Sequence, residues 1–164
     1  MTDLEVRIVR LDAMFIGSVR AIGESPERDA WSRLYDWAAP KGLIHDLENH
    51  PVFGFNNPNP SPGRNEYGYE FWIKVEPQTV GAGEVEIKEF PGGLYAVTRC
   101  RLVGDPSGPM PVVWKKLWDW LHASDRYAWR KTHELERLLN PLAVESDVIL
   151  DLYLPVEEKG SRDH

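Results

Sequence analysis

Residues 31–37 have the sequence WSRLYDW, and residues 114–120 have the sequence WKKLWDW. Four of these seven positions are identical, and a fifth is aromatic in both segments. In each segment, apolar residues recur at intervals of three or four, which is the spacing of one face of an α-helix. The chain therefore contains two similar amphipathic helices, and their separation of 83 residues indicates an internal repeat.

Three further pairs of segments support the repeat, because they occur in the same order in both halves at similar separations. The pairs are 6–23 with 85–102, 53–58 with 136–141, and 70–76 with 151–157. Most members of these pairs alternate apolar and polar residues, which is typical of β-strands. We therefore predict an α+β fold made of a duplicated β-α-β-β unit with pseudo-twofold symmetry, in which antiparallel sheets pack helices on one face.

The repeat also predicts how the chain is divided. Residues 78–83 form a short segment that contains glycine and few apolar residues, which is typical of a linker. A boundary at this linker gives pseudo-repeats at approximately 5–77 and 84–157. Because the linker is so short, we predict that residues 1–164 form a single domain rather than two independent ones.

Local signals place the ends of the helices and one long loop. Ser25 followed by Pro26 is typical of a helix N-terminus, because proline is favoured at the first helical position. Pro109 and Pro111 stand before the second apolar helical pattern in the same way. Residues 56–65, with the sequence NNPNPSPGRN, predict a loop.

Composition and charge narrow the classes of function. The 164 residues include 19 Lys and Arg against 26 Asp and Glu, and the net charge of −7 disfavours direct binding of nucleic acid. No apolar run approaches the roughly 18 residues of a membrane helix, and the first residues lack the layout of a signal peptide. Because Cys100 is the only cysteine, no disulfide can form within the chain. We expect a cytoplasmic protein with no membrane partner.

Motifs for metals, nucleotides and nucleophilic catalysis are weak or missing from the sequence. His45, Glu48 and His50 lie close together, but their spacing matches no strong zinc pattern. Neither a phosphate-binding glycine motif nor a G-x-S-x-G turn occurs. Cys100 lies inside an apolar strand pattern, which predicts a buried and unreactive thiol. We therefore expect no metal and no cofactor, and the sequence leaves open whether the protein is an enzyme.

The order of these segments resembles the GyrI-like superfamily. The resemblance rests on the repeat, the segment EFPGGLYAV at 89–97, the Trp-rich second helix and the segment HELERLLNP at 133–141, and it covers roughly residues 6–157. The superfamily also contains the effector-binding domains of AraC-type and MerR-type multidrug regulators. The resemblance implies small-molecule binding linked to transcription regulation, in a cleft between the two halves that takes small organic molecules, often cationic and lipophilic.

The resemblance implies that Glu136 is the anionic anchor of this cleft, because it matches a Glu that stands just before a strand in the superfamily. An acid in an apolar cleft can pair with a cation that has lost its water, and an aromatic wall adds about 0.5–2 kcal/mol per good contact. The alternative is a solvated acid paired with Arg130 or Arg137. Glu134 points the same way if the segment is extended, and it is the second acidic candidate.

Six aromatic residues are candidates for the walls of the cleft. Most tryptophans form repeat-matched pairs on the two helices, which leaves Trp72 and Trp129 as the ones free to contact a ligand. Trp129 lies in a loop-like stretch and could act as a lid. The other candidates lie in or next to predicted strands and are Phe55, Tyr69, Tyr95 and Tyr153.

Two further acids, Glu70 and Asp151, occupy matching positions in the repeat, each within a strand of apolar and aromatic residues. Strand alternation places Glu70 on the same face as Trp72. Such an acid lies either on a solvated face of the sheet or in a pocket. We expect the solvated face for both residues.

The main functional hypothesis is a protein that binds small amphipathic, cationic organic molecules, as a sensor or a sequestering protein. No helix-turn-helix segment is expected, so a regulator of transcription would act through another chain. A second hypothesis is a hydrolase of small reactive compounds that uses Glu136 with a Tyr partner. Because Leu138 stands where the superfamily has a Tyr, that partner would be Tyr95 or Tyr153. A third is an inhibitor of a partner protein such as DNA gyrase, whose acidic surface mimics a polyanion.

Overall fold

The computed structural model describes residues 4–103, 110–140 and 147–160. Pro109 and Pro141, which belong to the sequence motifs, lie outside these ranges. The described residues contain two α-helices, α1 (Pro26–Ala38) and α2 (Met110–His122). Their strands are β1 (Arg7–Leu11), β2 (Met14–Gly23), β3 (Val52–Asn56), β4 (Tyr67–Val75), β5 (Glu86–Phe90), β6 (Gly93–Val103), β7 (Tyr127–Trp129), β8 (Leu135–Leu138) and β9 (Asp147–Glu158). Antiparallel strands and packed helices confirm the predicted α+β class.

The chain divides into two compact units. Unit 1 comprises residues 1–12 and 92–164, and unit 2 comprises residues 13–91. The units differ from the predicted pseudo-repeats because each leading strand pairs outside its own repeat: β1 pairs with β6, and β5 pairs with β2. Both pairings join strands that are far apart in sequence, which local patterns do not specify. The duplication and its pseudo-twofold symmetry stay predictions.

Unit 2 is a four-stranded antiparallel sheet in the order β3-β4-β2-β5, with α1 on one face. The helix begins at Pro26, as the sequence predicts, and it ends at Ala38, where two short 3-10 helices follow it. Between them Gly42 has a φ of 78°, which glycine adopts readily. Leu34 is fully buried, and the Trp31 ring meets the edge of Phe71 with centroids 5.5 Å apart. The apolar stripe of α1 therefore packs against the sheet.

Unit 1 has a sheet in the order β1-β6-β9-β8, and the short strand β7 also pairs with β9. The apolar stripe of α2, which includes Leu117 and Leu121, packs on one face of this sheet in a cluster with Ala96, Cys100 and Leu152. Burial raises the pKa of the Cys100 thiol, and the negative charge of Glu136 raises it further. The predicted burial of Cys100 is therefore confirmed, and a raised pKa favours the less nucleophilic thiol over the thiolate.

Strand alternation decides which side chains face each helix. In unit 1, Glu136 is paired with Leu152, so it lies on the α2 side of the sheet, whereas Asp151 lies on the opposite face. In unit 2, Phe71 faces α1, so Glu70 lies on the face away from that helix. Among the described residues, no helix combines the length and apolar character that a membrane crossing requires.

Candidate functional site

The main acidic candidate, Glu136, lies within β8 rather than just before a strand as expected. It is half-buried, and the indole Nε1–H of Trp114 in α2 donates a hydrogen bond to its Oε2 atom at 3.4 Å. This distance is at the long end for a hydrogen bond, so the contact is weak and easily replaced. The carboxylate therefore lies beside a Trp of the packed helix and is not a purely solvated acid.

Two further tryptophans, one on α2 and one on β7, lie near this contact. Trp118 lies one helical turn after Trp114, and its ring centroid is 6.0 Å from that of Trp129. The prediction that Trp129 lies in a loop is wrong, because residues Tyr127–Trp129 form β7, which pairs with the end of β9. Trp118 is half-buried and Trp129 is 44% exposed, so the group reaches solvent. We call Trp114, Trp118, Trp129 and Glu136 the α2 cluster.

The second acidic candidate, Glu134, immediately precedes β8 and is half-buried. Burial raises its pKa, which means that its surroundings disfavour the negative charge. A cation bound nearby would reverse this effect, because an opposite charge favours the ionised carboxylate. The α2 cluster offers a carboxylate next to partly exposed tryptophans, a combination that suits an organic cation, and Glu134 is a second half-buried acid two residues earlier.

Two predicted aromatic residues of unit 1, Tyr95 and Tyr153, lie on the face of the sheet opposite to Glu136. Their ring centroids are 5.6 Å apart, and both side chains are buried. The guanidinium of Arg130 lies 4.9 Å from the Tyr95 ring centroid and donates to the carbonyl oxygens of Leu94 and Val156. Burial raises the pKa of Tyr95, although Arg130 opposes the shift. The structure therefore buries both tyrosines on the face away from α2.

The remaining aromatic candidates lie in unit 2. Phe55 and Trp72 are in contact, with centroids 4.9 Å apart, on the face away from α1. Tyr69 lies on the α1 face and contacts Phe71 with centroids 4.9 Å apart. All three candidates are buried. Trp72 donates its indole N–H to Glu70 at 2.7 Å, so its polar atom already has a partner.

The expectation that Glu70 and Asp151 lie on solvated faces is wrong, since only 3% of each residue is exposed. Glu70 accepts hydrogen bonds from Ser18 at 2.6 Å, from Trp72 at 2.7 Å, and from Asn57 and Lys88 at 3.0 Å each. Burial alone would raise the pKa of Glu70, but these donors lower it below its usual value. Sequence alternation places the acid beside Trp72 but carries no information about its distant donors.

Across residues 4–103, 110–140 and 147–160, no three His, Cys, Asp or Glu side chains come together in a group that could hold a metal ion. The candidate site is thus made of carboxylates and aromatic rings, which bind organic cations by charge and by the faces of the rings.

Comparison with known proteins gives a family match but no curated relative. The sequence model of a family described as integron-associated effector binding proteins matches residues 7–156. No curated protein matches the sequence significantly. The match covers nearly the whole chain and includes both compact units.

Solved structures share the fold at low sequence identity. The crystal structure of the EcmrR C-terminal domain aligns with a TM-score of 0.65 and 14% identity, over 94% of this chain and 98% of that one. An integron cassette protein from the mobile metagenome of Vibrio cholerae aligns with a TM-score of 0.55 and 13% identity, over 93% of this chain and 95% of that one. The chain spans only 57% of EcmrR as it occurs in a cryo-EM complex with DNA.

A third solved structure contains a bound molecule. SAV2435 bound to tetraphenylphosphonium aligns with a TM-score of 0.57 and 10% identity, over 98% of this chain and 99% of that one. At this identity, the likeness establishes a common fold.

Proposed function

The chain belongs to the family of integron-associated effector-binding proteins, and from this membership we propose that it binds small amphipathic organic cations at the α2 cluster of unit 1. The membership also confirms the resemblance to the GyrI-like superfamily. The observation that carries the proposal is the contact between Glu136 and the Trp114 indole beside two further, partly exposed tryptophans.

The physical argument starts from the cost of removing a cation from water. A bulky organic cation has a diffuse charge and sheds water readily, so a half-buried carboxylate can pair with it where a small inorganic ion would stay hydrated. Indole faces attract the same charge by about 0.5–2 kcal/mol each, depending on how far water is excluded. The long Trp114–Glu136 hydrogen bond is a modest interaction, so a ligand that displaces it loses little.

The bound molecule in SAV2435 supports the choice of ligand class. That protein shares the fold and is seen with tetraphenylphosphonium, a lipophilic cation without hydrogen-bond donors. Such a ligand gains affinity from charge and from apolar contact, which are the two properties that the α2 cluster offers. Tetraphenylphosphonium is therefore a suitable probe for this chain.

The test is a calorimetric titration of the full chain with tetraphenylphosphonium. We expect saturable binding that Glu136→Gln weakens at least about tenfold, equivalent to about 1.4 kcal/mol. The matched control is Glu66→Gln, which removes the same charge from an exposed position in unit 2. Trp114→Phe, which removes the indole donor and keeps an aromatic ring, should change the affinity less than Glu136→Gln does.

Three outcomes decide the proposal. Weaker binding in Glu136→Gln but not in Glu66→Gln supports Glu136 as the anchor. Equal binding by both variants and the wild-type chain assigns the cation to another site. The absence of saturable binding in the wild-type chain would overturn the proposed ligand class.

A further inference from the structure

A second group of charged side chains in unit 1 lies on the face opposite to α2. Arg7 of β1 donates from Nη2 to Oδ2 of Asp151 at 3.1 Å. Arg99 of β6 donates from Nε to Oδ1 at 3.0 Å and from Nη2 to Oδ2 at 3.4 Å. The Asp151 side chain is only 5% exposed, whereas those of Arg7 and Arg99 are 53% and 61% exposed. The arginines therefore reach a buried carboxylate from the solvent side.

Further arginines lie on the same face of this sheet. Arg137 of β8 is paired opposite Asp151 in the sheet, and Arg101 lies two residues beyond Arg99 on the same face. Arg7 and Arg99 line one cavity together with Glu5. Two guanidinium groups donate to Asp151, whereas Glu70 is satisfied with one lysine and three neutral donors.

The arginines also line an open cavity, and they carry more N–H groups than they donate to Asp151. The cavity has a volume of about 370 Å³ and is lined by Glu5, Arg7 and Arg99. A guanidinium carries five N–H groups. Within the described part of the chain, Arg7 donates one hydrogen bond and Arg99 donates two, all of them to Asp151. The remaining N–H groups are able to bind an acceptor that enters from solvent.

We propose that Arg7 and Arg99 form a binding site for a small oxyanion, a carboxylate or phosphate group, on this face of unit 1. The planar fork of a guanidinium matches two oxygens of either group, and two forks on neighbouring strands converge on one cavity. Asp151 holds the arginines in place and at the same time competes for their charge. This site goes beyond the proposed function, because it takes a ligand of opposite charge on the opposite face of the sheet.

The test uses calorimetric titration of the full chain with inorganic phosphate and, separately, with succinate, with sodium chloride keeping the ionic strength constant. We expect saturable binding of at least one anion, weakened about fivefold or more by Arg99→Gln because a guanidinium fork is lost. Arg7 still pairs with Asp151 in this variant, so the fold is retained. The matched control is Arg33→Gln, which removes the same charge from an exposed ion pair with Glu84 in unit 2 and should leave the affinity unchanged.

A second variant tests the competition directly. Asp151→Asn removes the negative charge that the arginines now face, so anion affinity should increase severalfold; circular dichroism checks the fold. If the arginines serve only Asp151, this variant gains nothing, and that result overturns the proposal. Two further outcomes would overturn the proposal. One is that the wild-type chain shows no saturable binding of either anion, and the other is that Arg99→Gln binds the anion as tightly as the wild-type chain does. Saturation by phosphate alone or by succinate alone identifies which group the site prefers.

Discussion

Glu70 in unit 2 and Asp151 in unit 1 are both buried carboxylates, each on a strand that is paired along both of its edges. Their partners differ. Glu70 accepts from a hydroxyl, an indole, an amide and one ammonium group. Asp151, within the described residues, accepts from two guanidinium groups whose side chains stay more than half exposed.

The difference shows two ways to keep a carboxylate inside a sheet. Ser18 and Trp72 are themselves buried, so the removal of Glu70 takes away the carboxylate to which their polar atoms donate. Arg7 and Arg99 can turn to water instead. Buried networks are stable only when every member is satisfied, whereas solvent-exposed ion pairs contribute little. We therefore expect unit 2 to depend on its carboxylate far more than unit 1 does.

We expect the largest difference in stability between the two units when each carboxylate is removed. Glu70→Ala should lower the free energy of unfolding by about 3–5 kcal/mol, because it leaves buried donors and an ammonium group without the carboxylate that accepts from them. Asp151→Ala should lower it by only about 1–2 kcal/mol, since the arginines are hydrated once the acid is gone. Urea unfolding monitored by circular dichroism measures both values. Equal losses in the two variants would contradict the distinction between the units.

Much of the fold could be predicted from local sequence. Pro26 marks the start of α1, and the spacing of Leu117 and Leu121 identifies the buried stripe of α2. The pairing of β1 with β6 was not predictable in this way, because it joins residues 82 to 90 positions apart through backbone hydrogen bonds that any sequence can form. The strand β7 was missed because three residues between charged neighbours carry no periodicity.

The candidate site was predictable only in its chemistry. The sequence pointed to Glu136 and Trp129, and the structure connects them through Trp114 and Trp118, which the sequence assigned to the helix core. Alternation correctly grouped Glu70 with Trp72, but its burial depends on Ser18, 52 positions away. A polar residue within an apolar strand, such as Ser18 in β2, is the signal that could have indicated a buried partner.

Acid titration should give the next largest effect. Its hydrogen-bond donors hold the folded pKa of Glu70 below the usual value of 4.5, so its contribution to stability is complete above that pH and is lost as pH falls through the folded pKa. Protonation keeps the side chain in place, so the loss is smaller than in Glu70→Ala. The wild-type chain should therefore lose stability between about pH 5 and pH 2 more steeply than Glu70→Gln does. Urea midpoints across this range measure it.

An exposed acid provides the control for this titration. Glu66→Gln changes the same number of charges at an exposed position, and its profile should follow that of the wild-type chain. A Glu70→Gln profile as steep as the wild-type profile would show that other groups govern the acid sensitivity, and the role assigned to the Glu70 network would have to be abandoned.

The smallest effects on stability are expected when the cationic partners of the two carboxylates are replaced. These substitutions compare how strongly each carboxylate depends on a single cation. Lys88 is the one cation among the described donors to Glu70, and its side chain is 40% exposed, so Lys88→Gln should cost about 1 kcal/mol after screening by solvent. Arg99→Gln should cost less than about 0.5 kcal/mol, because Arg7 still donates to Asp151. Lys115→Gln, which breaks an exposed pair with Asp119, calibrates a surface substitution. The result that contradicts this prediction is a urea midpoint for Arg99→Gln that is equal to or lower than the midpoint for Lys88→Gln. In that case Arg7 does not replace Arg99, and Asp151 depends on its exposed arginines as strictly as Glu70 depends on its buried donors.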